Sequence, residues 1–503
     1  MEAPTLVFIG FMGAGKTTGA RAAAAALGVR AVDTDRELEQ RLGSSIEDYF
    51  AAHGERAFRE AEEDLVAEVL EAPPAPVISL GGGSINSARV RELLTRHTVV
   101  LLDVDEATAW RRAGNKKRPL ARDRERFAAL HAERTPVYEA LADAVLLDGG
   151  ADTIRRAAGA LRRIPRGVKA LWAVAGAAQY PVYVGDVLDG GFWPLRGRRF
   201  LLTDDAVGPL HGGLVPGAHA TFTMPAGEAA KTLATAERLL RGLAAAGMDH
   251  DDHVAALGGG VVGDVAGFCA AVYQRGVGVV QVPTTLVSQV DSAYGGKTGV
   301  DLPEGKNYVG AYHQPRAVLA DPRVLATLPA AEIAAGWAEV IKTALIAGGP
   351  LWARVRRGDG IVDRDLVLAC ARTKLAVVAQ DERDAGRRQV LNLGHTVGHA
   401  IETATGYARY RHGEAVGLGL LAALTLSGQP ELRAEVAELL AARGLPTTLD
   451  PAVDHEAVLA AVQRDKKRRS GRVGFVLVEA PGDVRTGLPV AESDVRAALG
   501  GLA

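Results

Sequence analysis

The sequence predicts an α/β architecture with largely parallel sheets over residues 1–321, followed by a mostly α-helical region. Short β-branched runs alternate with Ala-, Glu- and Arg-rich segments of helical period, and the first of these runs occupy residues 6–9, 77–80 and 99–102. A second series of strand-like runs follows at residues 200–203, 254–257 and 277–282. Such alternation is typical of parallel sheets. Beyond residue 321 strand signals thin out, and helical patterns dominate from residue 332.

The chain length indicates more than one domain. At 503 residues the chain exceeds the size of a typical single domain. A basic segment at residues 162–167, which contains Pro165, has the composition of a linker. We therefore predict domains at residues 1–165, 166–321 and 322–503.

Composition and charge narrow the function classes. The net charge is only −2, and apolar residues are spread along the chain, which argues against disorder and against nucleic-acid binding. The two cysteines, Cys269 and Cys370, are too few and too far apart for a disulfide framework or a zinc knuckle. The start of the chain leaves no room for a signal peptide, and the longest uncharged stretch is too short to span a membrane. We expect a cytoplasmic protein with small-molecule substrates.

A nucleotide-binding motif lies near the start of the chain. Residues 10–17 match G-x-x-x-x-G-K-[ST] between an apolar strand and an Ala-rich helix. Glycines in such a P-loop let backbone N–H groups face phosphate oxygens, while Lys16 reaches the outer phosphates and Thr17 ligates Mg²⁺. The motif alone does not separate a kinase from a GTPase or a nucleotide-binding regulatory module.

Further motifs after the P-loop narrow its function. They are Asp33-Thr-Asp35, Phe58-Arg59 with Glu62, Leu80-Gly-Gly-Gly83, Arg118-Pro-Leu120 and Glu133-Arg134-Thr-Pro-Val-Tyr138. In this order the set resembles shikimate kinases over residues 1–160. The resemblance implies that ATP binds at Gly13, Ala14, Gly15, Lys16, Thr17, Thr18 and Arg118, and that shikimate binds at Asp35, Arg59, Gly82 and Arg134. It also implies that Asp33 joins Thr17 on the Mg²⁺ side, and that Lys16, Asp35 and Arg118 are catalytic.

Simpler structural roles compete with these assignments. Asp33 and Asp35 could cap the helix that begins close to them. Glu62 could be solvated or paired with the neighbouring arginine. Asp103 ends an apolar strand as a metal-binding acid would, but the resemblance gives that strand no metal role. The segment of residues 118–134 is shorter than the lid of the family, which leaves open how this lid closes.

A second glycine-rich turn lies at residues 258–264. It matches G-x-G-x-x-G between a strand and a helix, but residues 279–285 lack the ribose-binding carboxylate expected about 20 residues further on. The turn is therefore not a standard dinucleotide-binding fingerprint.

The surrounding residues resemble 3-dehydroquinate synthases over residues 170–500. Shared motifs include Pro225-Ala-Gly227-Glu228-Ala-Ala-Lys231, Gly295-Gly-Lys297, Leu391-Asn-Leu-Gly-His395-Thr-Val-Gly-His399 and His412-Gly-Glu414. The resemblance implies a Rossmann-like NAD-binding domain and then a helical metal- and substrate-binding domain. The implied NAD contacts are Asp204, Glu228, Lys231, Gly260, Val261, Val262, Gly263, Asp264, Thr284, Thr285, Lys297, Lys306 and Thr327. Asp204 and Glu228 would replace the missing ribose-binding acid.

Two sets of residues could bind the metal. Spacing alone favours His395 and His399, because one helix face presents both at i, i+4, although no Glu follows His395 as in zinc proteases. The resemblance instead implies Zn²⁺ or Co²⁺ on Glu339, His395 and His412, and gives His399 to the substrate. Glu402 and Glu414 are the alternative carboxylates.

The resemblance also implies a reaction. A seven-carbon keto-acid phosphate is oxidised by NAD⁺, loses phosphate, is reduced again and closes by an aldol step. A metal would acidify first the reacting hydroxyl and then the neighbouring C–H. The residues that would hold the substrate phosphate and carboxylate are Arg275, Asn307, Lys342 and Arg388. Lys297, Lys342 and His399 would be catalytic, and either Lys466 or Lys467 could also contact the substrate.

The sequence therefore predicts a bifunctional enzyme with ATP, Mg²⁺, NAD⁺ and Zn²⁺ or Co²⁺ as cosubstrates and cofactors. The alternatives are a different sugar-phosphate cyclase, a metal-dependent polyol dehydrogenase, or a regulatory P-loop domain on the synthase. The cationic residues argue against a polyol dehydrogenase, whose substrate has no phosphate or carboxylate. The two reactions are not consecutive in the shikimate route, so no direct transfer between the sites is expected. The family resemblance also implies a homodimer through the synthase half.

Overall fold

The computed structural model describes residues 4–113, 123–468 and 474–502, with the backbone alone for 465–468. The chain forms two compact units, the first ending at Gly185 and the second beginning at Asp186. The predicted linker at residues 162–167 therefore lies within the first unit. Across the described ranges, each helix is too short or too polar to cross a lipid bilayer.

The first unit contains a mostly parallel sheet. Its strands are β1 (Leu6–Ile9), β2 (Ala31–Asp33), β3 (Val77–Ser79), β4 (Thr98–Leu102), β5 (Ala144–Leu146), β6 (Lys169–Ala175) and β7 (Ala178–Val184). They lie in the order β2-β3-β1-β4-β5-β6-β7, with β7 alone antiparallel to its neighbour β6. Strand β1 is fully buried between β3 and β4, as expected of a central parallel strand. Strand β6 pairs with β5, which places the start of the next predicted domain in this unit.

Helices connect these strands. They are α1 (Lys16–Leu27), α2 (Thr34–Leu42), α3 (Ile46–Glu71), α4 (Ala88–Leu94), α5 (Glu106–Ala113), α6 (Arg124–Leu141) and α7 (Ala151–Leu161). The P-loop joins β1 to α1, which confirms the predicted strand, loop and helix. Gly10, Gly13 and Gly15 have φ values of 147°, 84° and 89° there, a region that glycine adopts with least strain.

The second unit contains five parallel strands and two hairpins. Its strands are β8 (Arg199–Asp204), β9 (Ala218–Met224), β10 (His253–Gly258), β11 (Gly278–Pro283), β12 (Lys297–Leu302), β13 (Gly305–Tyr312), β14 (Ala317–Ala320), β15 (Gly474–Ala480) and β16 (Asp483–Pro489). The sheet order is β14-β11-β10-β8-β9, and all these neighbours are parallel. The carboxyl ends of β8, β10 and β11 therefore share one edge, where α/β sheets bind ligands.

The rest of the second unit is mostly helical, as predicted. Its helices are α8 (Gly208–His211), α9 (Leu233–Ala245), α10 (Gly260–Val272), α11 (Ala330–Ala347), α12 (Gly349–Arg357), α13 (Arg364–Gln380), α14 (His395–Ala404), α15 (His412–Leu426), α16 (Pro430–Ala441), α17 (His455–Arg468) and α18 (Glu492–Gly500). Helices α11 and α15 are buried over most of their length, which explains why their sequences are apolar on all sides. The hairpin β15–β16 was not predicted.

Candidate active sites

The P-loop lysine and threonine are held by the first unit itself. Lys16 Nζ donates hydrogen bonds to Gly10 O at 3.0 Å and Phe11 O at 3.3 Å. The Thr17 hydroxyl donates to Asp33 Oδ2 at 2.5 Å, so the structure brings together both residues predicted for Mg²⁺. The other Asp33 oxygen caps helix α2, which is the simpler role considered from the sequence, and the Oδ2 atom remains beside Thr17.

The glycine turn at residues 81–83, directly after β3, gathers the predicted shikimate-binding residues. The carbonyl of Gly82 accepts hydrogen bonds from Arg134 Nη1 at 3.2 Å and from the Tyr138 hydroxyl at 2.6 Å. Arg134 is buried, and its Nε has no hydrogen-bond partner among the described residues. Burial raises the pKa of Tyr138 to about 12, although the Arg134 charge opposes this shift, so the phenol stays a neutral donor. Tyr138 lies one helical turn after Arg134, the signal by which sequence reasoning could have found it.

Charged side chains from helices α2 and α3 line the same turn. Arg59 forms an ion pair with Glu62 at 2.5 Å, and the buried Glu62 also accepts a hydrogen bond from Ser84. Glu62 is therefore paired with the arginine rather than solvated. A Cβ on Gly81 would lie 2.6 Å from Asp35 Oδ1 and 2.7 Å from Glu62 Oε1, so both carboxylates face this glycine. Arg118 lies outside the described residues.

The second glycine-rich turn connects β10 to α10, as predicted. A Cβ on Gly258 would lie 2.5 Å from Val262, and a Cβ on Gly259 would lie 2.8 Å from Thr285 Cγ2. These glycines are needed because side chains pack closely against them. Val262 itself lies in a hydrophobic cluster, 1% exposed, so its side chain cannot contact a nucleotide and only its backbone could. Val261 is partly buried against the same cluster.

Acidic and basic residues predicted for NAD contacts lie around this edge. Asp204 is the last residue of β8, and it accepts hydrogen bonds from the backbone N–H groups of residues 206 and 207. Lys231 Nζ lies 2.6 Å from Asp264 Oδ2 near the start of α10. Thr284 donates its N–H to Gly258 O, and its buried hydroxyl has no hydrogen-bond partner in the described parts of the chain.

Other predicted NAD contacts lie further from the turn. Lys297, on β12, pairs with Asp384 Oδ2 at 2.5 Å. Thr327 Oγ1 is 2.8 Å from His211 Nε2. Lys306, on β13, lies 3.3 Å from Glu228 Oε1.

Helices α11, α14 and α15 bring the predicted metal ligands together. Glu339 Oε1 lies 3.5 Å from His395 Nε2 and 3.4 Å from His412 Nε2. Ring nitrogens of His395, His399 and His412 also lie within 4.8 Å of one another. Both ligand sets derived from the sequence are therefore close in space. Glu414 instead pairs with Arg411.

The charges around this cluster suit a cation. Burial lowers the pKa of His395 to about 3, which keeps the imidazole neutral and able to bind a metal. Burial would also lower the pKa of His412, but Glu339 and Glu402 outweigh it and raise that pKa to about 10. Burial opposes ionisation of Glu339, yet Lys342 and the histidines hold the pKa of this carboxyl well below its usual range.

Two residues that the sequence analysis did not assign, Asp291 and Lys374, join the predicted substrate-binding residue Lys342 in this network. Lys342 Nζ contacts Glu339 Oε2 at 2.5 Å and lies 3.7 Å from Asp291 Oδ1. Lys374 Nζ lies 3.0 Å from Asp291 Oδ2 and donates a hydrogen bond to the Asp291 carbonyl at 2.7 Å. Burial lowers the pKa of Lys374 to about 8, with Lys342 and Arg388 adding to the shift. In the sequence, the signal that could have identified Lys374 is a lysine directly before the apolar run of residues 375–378.

The predicted anion-binding residues lie on separate elements. Arg388 is buried, donates to the backbone carbonyls of Glu382 and Gly295, and has an Nε without a hydrogen-bond partner in the described residues. Asn307 is exposed on β13 with a φ of 58°. Arg275 precedes β11, whereas the predicted nucleotide residues follow it.

Strand β11 has 6 residues, so its two ends are about 20 Å apart. The exposed Arg275 therefore lies at the end of β11 opposite the nucleotide residues Thr284 and Thr285. The side chains of Lys466 and Lys467 lie outside the described part.

Comparisons with known proteins assign both units. The family model for shikimate kinase matches residues 12–164. The models for the N-terminal and C-terminal parts of 3-dehydroquinate synthase match residues 221–335 and 336–468. A 3-dehydroquinate synthase from Halorhodospira halophila is 47% identical over 332 residues, which are 62% of this chain and 93% of that protein. One from Symbiobacterium thermophilum is 44% identical over 338 residues, covering 61% and 94%.

Solved structures agree with this fold. The 2-epi-5-epi-valiolone synthase from Streptomyces hygroscopicus, solved with NAD⁺ and Zn²⁺ bound, has a TM-score of 0.59 and 26% identity, and the match covers 66% of this chain and 98% of that chain. A 2-deoxy-scyllo-inosose synthase, with 24% identity and the same TM-score over 66% of this chain and 100% of that one, shares the fold. The chain is therefore an enzyme of the 3-dehydroquinate synthase family that also carries a shikimate kinase domain over residues 12–164.

Proposed function

We propose that the second unit converts 3-deoxy-D-arabino-heptulosonate 7-phosphate to 3-dehydroquinate with NAD⁺ and Zn²⁺ or Co²⁺, and that the first phosphorylates shikimate with ATP and Mg²⁺. The observation that supports the cyclisation is the cluster of Glu339, His395 and His412 beside the cations Lys342 and Lys374. A metal next to buried cations fits a substrate that is oxidised at a hydroxyl and bears a phosphate and a carboxylate.

The donor atoms fit a tetrahedral metal. Ligands bound at about 2.1 Å in tetrahedral geometry lie about 3.4 Å apart. The separations of 3.5 and 3.4 Å from Glu339 Oε1 to the two imidazole nitrogens match this spacing. When bound, the metal would polarise the substrate hydroxyl and the ketone formed from it.

Residues of the chain bind and orient the substrate in this proposal. Lys342 is fully buried, and although burial would lower its pKa, Asp291 and Glu339 raise it, so the ammonium stays charged. Lys342 and Arg388 would hold the anionic groups of the substrate, where low exposure strengthens each contact. His399 lies beside the metal ligands, where it would contact the substrate. The phosphate of the substrate can take the proton, so positioning contributes more than a protein base.

In the first unit, the turn at residues 81–83 supports shikimate as the phosphoryl acceptor. Arg59 and Arg134 approach this turn from α3 and α6, and guanidinium groups suit a carboxylate. Asp35 would orient the attacking hydroxyl. ATP would lie over the P-loop, with Thr17 and Asp33 on the Mg²⁺ side.

A different sugar-phosphate cyclase is the second candidate for the synthase half, because the solved neighbours named above make other cyclic products. The curated relatives at 44–47% identity favour 3-dehydroquinate. The test supplies NAD⁺, zinc and either the keto-acid phosphate or a seven-carbon ketose phosphate without a carboxylate. We expect phosphate release from the keto acid. Release from the ketose phosphate alone would favour the other cyclase.

The kinase half has a separate test. Release of ADP should require shikimate, because the acceptor pocket and the P-loop belong to one domain. ATP binding without shikimate-dependent turnover would favour the regulatory alternative.

A further inference from the structure

A chain of charged side chains connects the predicted NAD site with the metal cluster. Lys306 Nζ lies between Glu228 Oε1 at 3.3 Å and Glu402 Oε1 at 3.4 Å. The second oxygen of Glu402, Oε2, lies 3.4 Å from His412 Nδ1. One carboxylate therefore contacts both a predicted nucleotide-binding lysine and a predicted metal ligand.

Glu402 is placed to transmit the position of one partner to the other. It is 3% exposed, so solvent cannot replace either contact at low cost. Each of its oxygens contacts a different partner, so a carboxylate that is held in place by one partner is also held in place for the other. The ring nitrogen it meets is the one opposite the nitrogen that faces Glu339, as expected for a residue that orients a metal-binding imidazole.

Tyr407 holds Lys306 from another side. The ammonium lies 4.4 Å from the centre of the Tyr407 ring, a cation–π contact. Tyr407 has a φ of 58°, which a bulky residue rarely adopts, and its N–H donates to the carbonyl of Glu402. Its hydroxyl is 3.0 Å from Thr403 Oγ1. The segment that ends α14 therefore fixes the lysine through Glu402 and Tyr407 together.

We propose that Glu402 makes metal binding and NAD⁺ binding mutually cooperative. A metal on His412 fixes the imidazole, the fixed ring orients Glu402, and Glu402 in turn orders Lys306 for the nucleotide. The second ligand then loses less conformational entropy when it binds. The inference rests on the proposed function, because it takes Lys306 as an NAD contact and His412 as a metal ligand. Glu402 is a positioning residue in this account.

A purely structural role for Glu402 makes a different prediction. If the carboxylate only connects α14 to the β12–β13 hairpin, its loss would lower the stability of the fold. It would also weaken the binding of each ligand by the same factor whether or not the other ligand is present. The ratio of the zinc Kd without NAD⁺ to the zinc Kd with NAD⁺ therefore separates the two roles.

The experiment measures the zinc Kd of the metal-depleted full-length chain by competition with a chromophoric chelator, without and with saturating NAD⁺. We expect NAD⁺ to tighten zinc binding by about fivefold or more, and zinc to tighten NAD⁺ binding by the same factor, because linkage is reciprocal. In Glu402→Gln, which keeps the shape but loses the charge facing Lys306, both ratios should fall to nearly one.

Glu438→Gln is the matched control, since Glu438 is exposed on α16 and the substitution removes the same charge. In this control, NAD⁺ should tighten zinc binding, and zinc should tighten NAD⁺ binding, by the same factors as in the wild type. Independent binding in the wild type, or a full ratio in Glu402→Gln, would overturn the proposal. Zinc that fails to bind at all would overturn the proposed function as well, whereas zinc and NAD⁺ that bind independently would overturn the coupling alone.

Tyr407→Leu covers the case in which Glu402→Gln does not fold. This change removes the ring beside Lys306 and leaves both Glu402 contacts in place. The coupling ratio should fall at least about twofold from the wild-type value, a fraction of the coupling free energies typical of linked sites. An unchanged ratio would count against ordering of Lys306 as the route of coupling.

Discussion

The two glycine-rich turns of this chain look alike in sequence, but Gly15 of the first and Gly259 of the second are needed for different physical reasons. In the P-loop, Gly15 has a φ of 89°, and a Cβ on it would meet nothing within 4 Å. In the second turn, Gly259 has an ordinary φ of −74°, but a Cβ on it would lie 2.8 Å from Thr285 Cγ2. The first glycine serves backbone conformation, and the second serves close packing.

This difference affects how each site can be altered. Strain from a positive φ arises in the backbone of the substituted residue itself, so no change in a neighbour removes it. A steric overlap involves a second side chain, so a smaller residue at that second position can remove it. A neighbouring substitution should therefore not offset the loss of Gly15, whereas one should offset the loss of Gly259.

The largest effects should come from removing one central residue of each site. Lys16→Ala should lower shikimate phosphorylation by about a thousandfold or more, because the lysine neutralises charge on the transferred phosphoryl group. His395→Ala should lower cyclisation by a similar factor through loss of a metal ligand. Each variant should retain the other activity, measured as phosphate release or shikimate-dependent ADP formation. Loss of both activities from either change would contradict independent sites.

Metal removal should separate the sites reversibly. Dialysis against a strong chelator should reduce cyclisation by more than about tenfold, because the ligand cluster must hold a metal to act on the hydroxyl. Zn²⁺ or Co²⁺ should restore it. Phosphorylation should need only Mg²⁺ afterwards. Cyclisation that survives the chelator would show that Glu339, His395 and His412 have another role.

The glycine contrast predicts a rescue at one site. Gly15→Ala should destabilise the chain by about 1–2 kcal/mol through left-handed backbone strain. Gly259→Ala should cost about 1–3 kcal/mol through overpacking. Adding Thr285→Ser removes the methyl group at 2.8 Å and should restore most of the loss, as seen in thermal unfolding of the full chain. The same serine change should not improve Gly15→Ala, and failure to rescue Gly259→Ala would argue against the packing explanation.

The smallest effect concerns the acceptor pocket of the kinase. Tyr138→Phe removes the 2.6 Å hydrogen bond to Gly82 O and should raise the KM for shikimate about fivefold, the equivalent of about 1 kcal/mol. Tyr308→Phe, at an exposed position of the second unit, is the control and should leave this KM unchanged. An unaltered KM in Tyr138→Phe would mean that the turn keeps its position without the phenol.

Motif order and hydrophobic patterning predicted the fold class and the neighbourhoods of both sites. The alternation of strands and helices indicated the parallel sheets, and the family resemblance implied Glu339, His395 and His412, which lie together on α11, α14 and α15. Spacing alone favoured His395 with His399. Both sets meet in space because α14 and α15 pack together.

Other features depend on long-range packing that the sequence pattern does not record. Asp291 and Lys374 are far apart in the chain, so their pairing followed only from the fold. Val262 matched a nucleotide-binding pattern, yet its side chain faces the core. Arg275 matched a substrate-binding motif, and the direction of β11 places it at the end opposite the nucleotide residues that follow this strand. Local motifs identified residue types correctly and gave no information on which way each element runs.

The pairing of β6 with β5 bears on any attempt to divide this gene into separate enzymes. A cut at residue 165, where composition suggests a boundary, would strip β6 from the buried strand Ala144–Leu146 and leave a raw sheet edge. Exposed strand edges can pair with strands of other molecules, so the shortened kinase would gain an edge that is paired in the full chain. Extending it to Gly185, where the first compact unit ends, would keep β5 paired with β6.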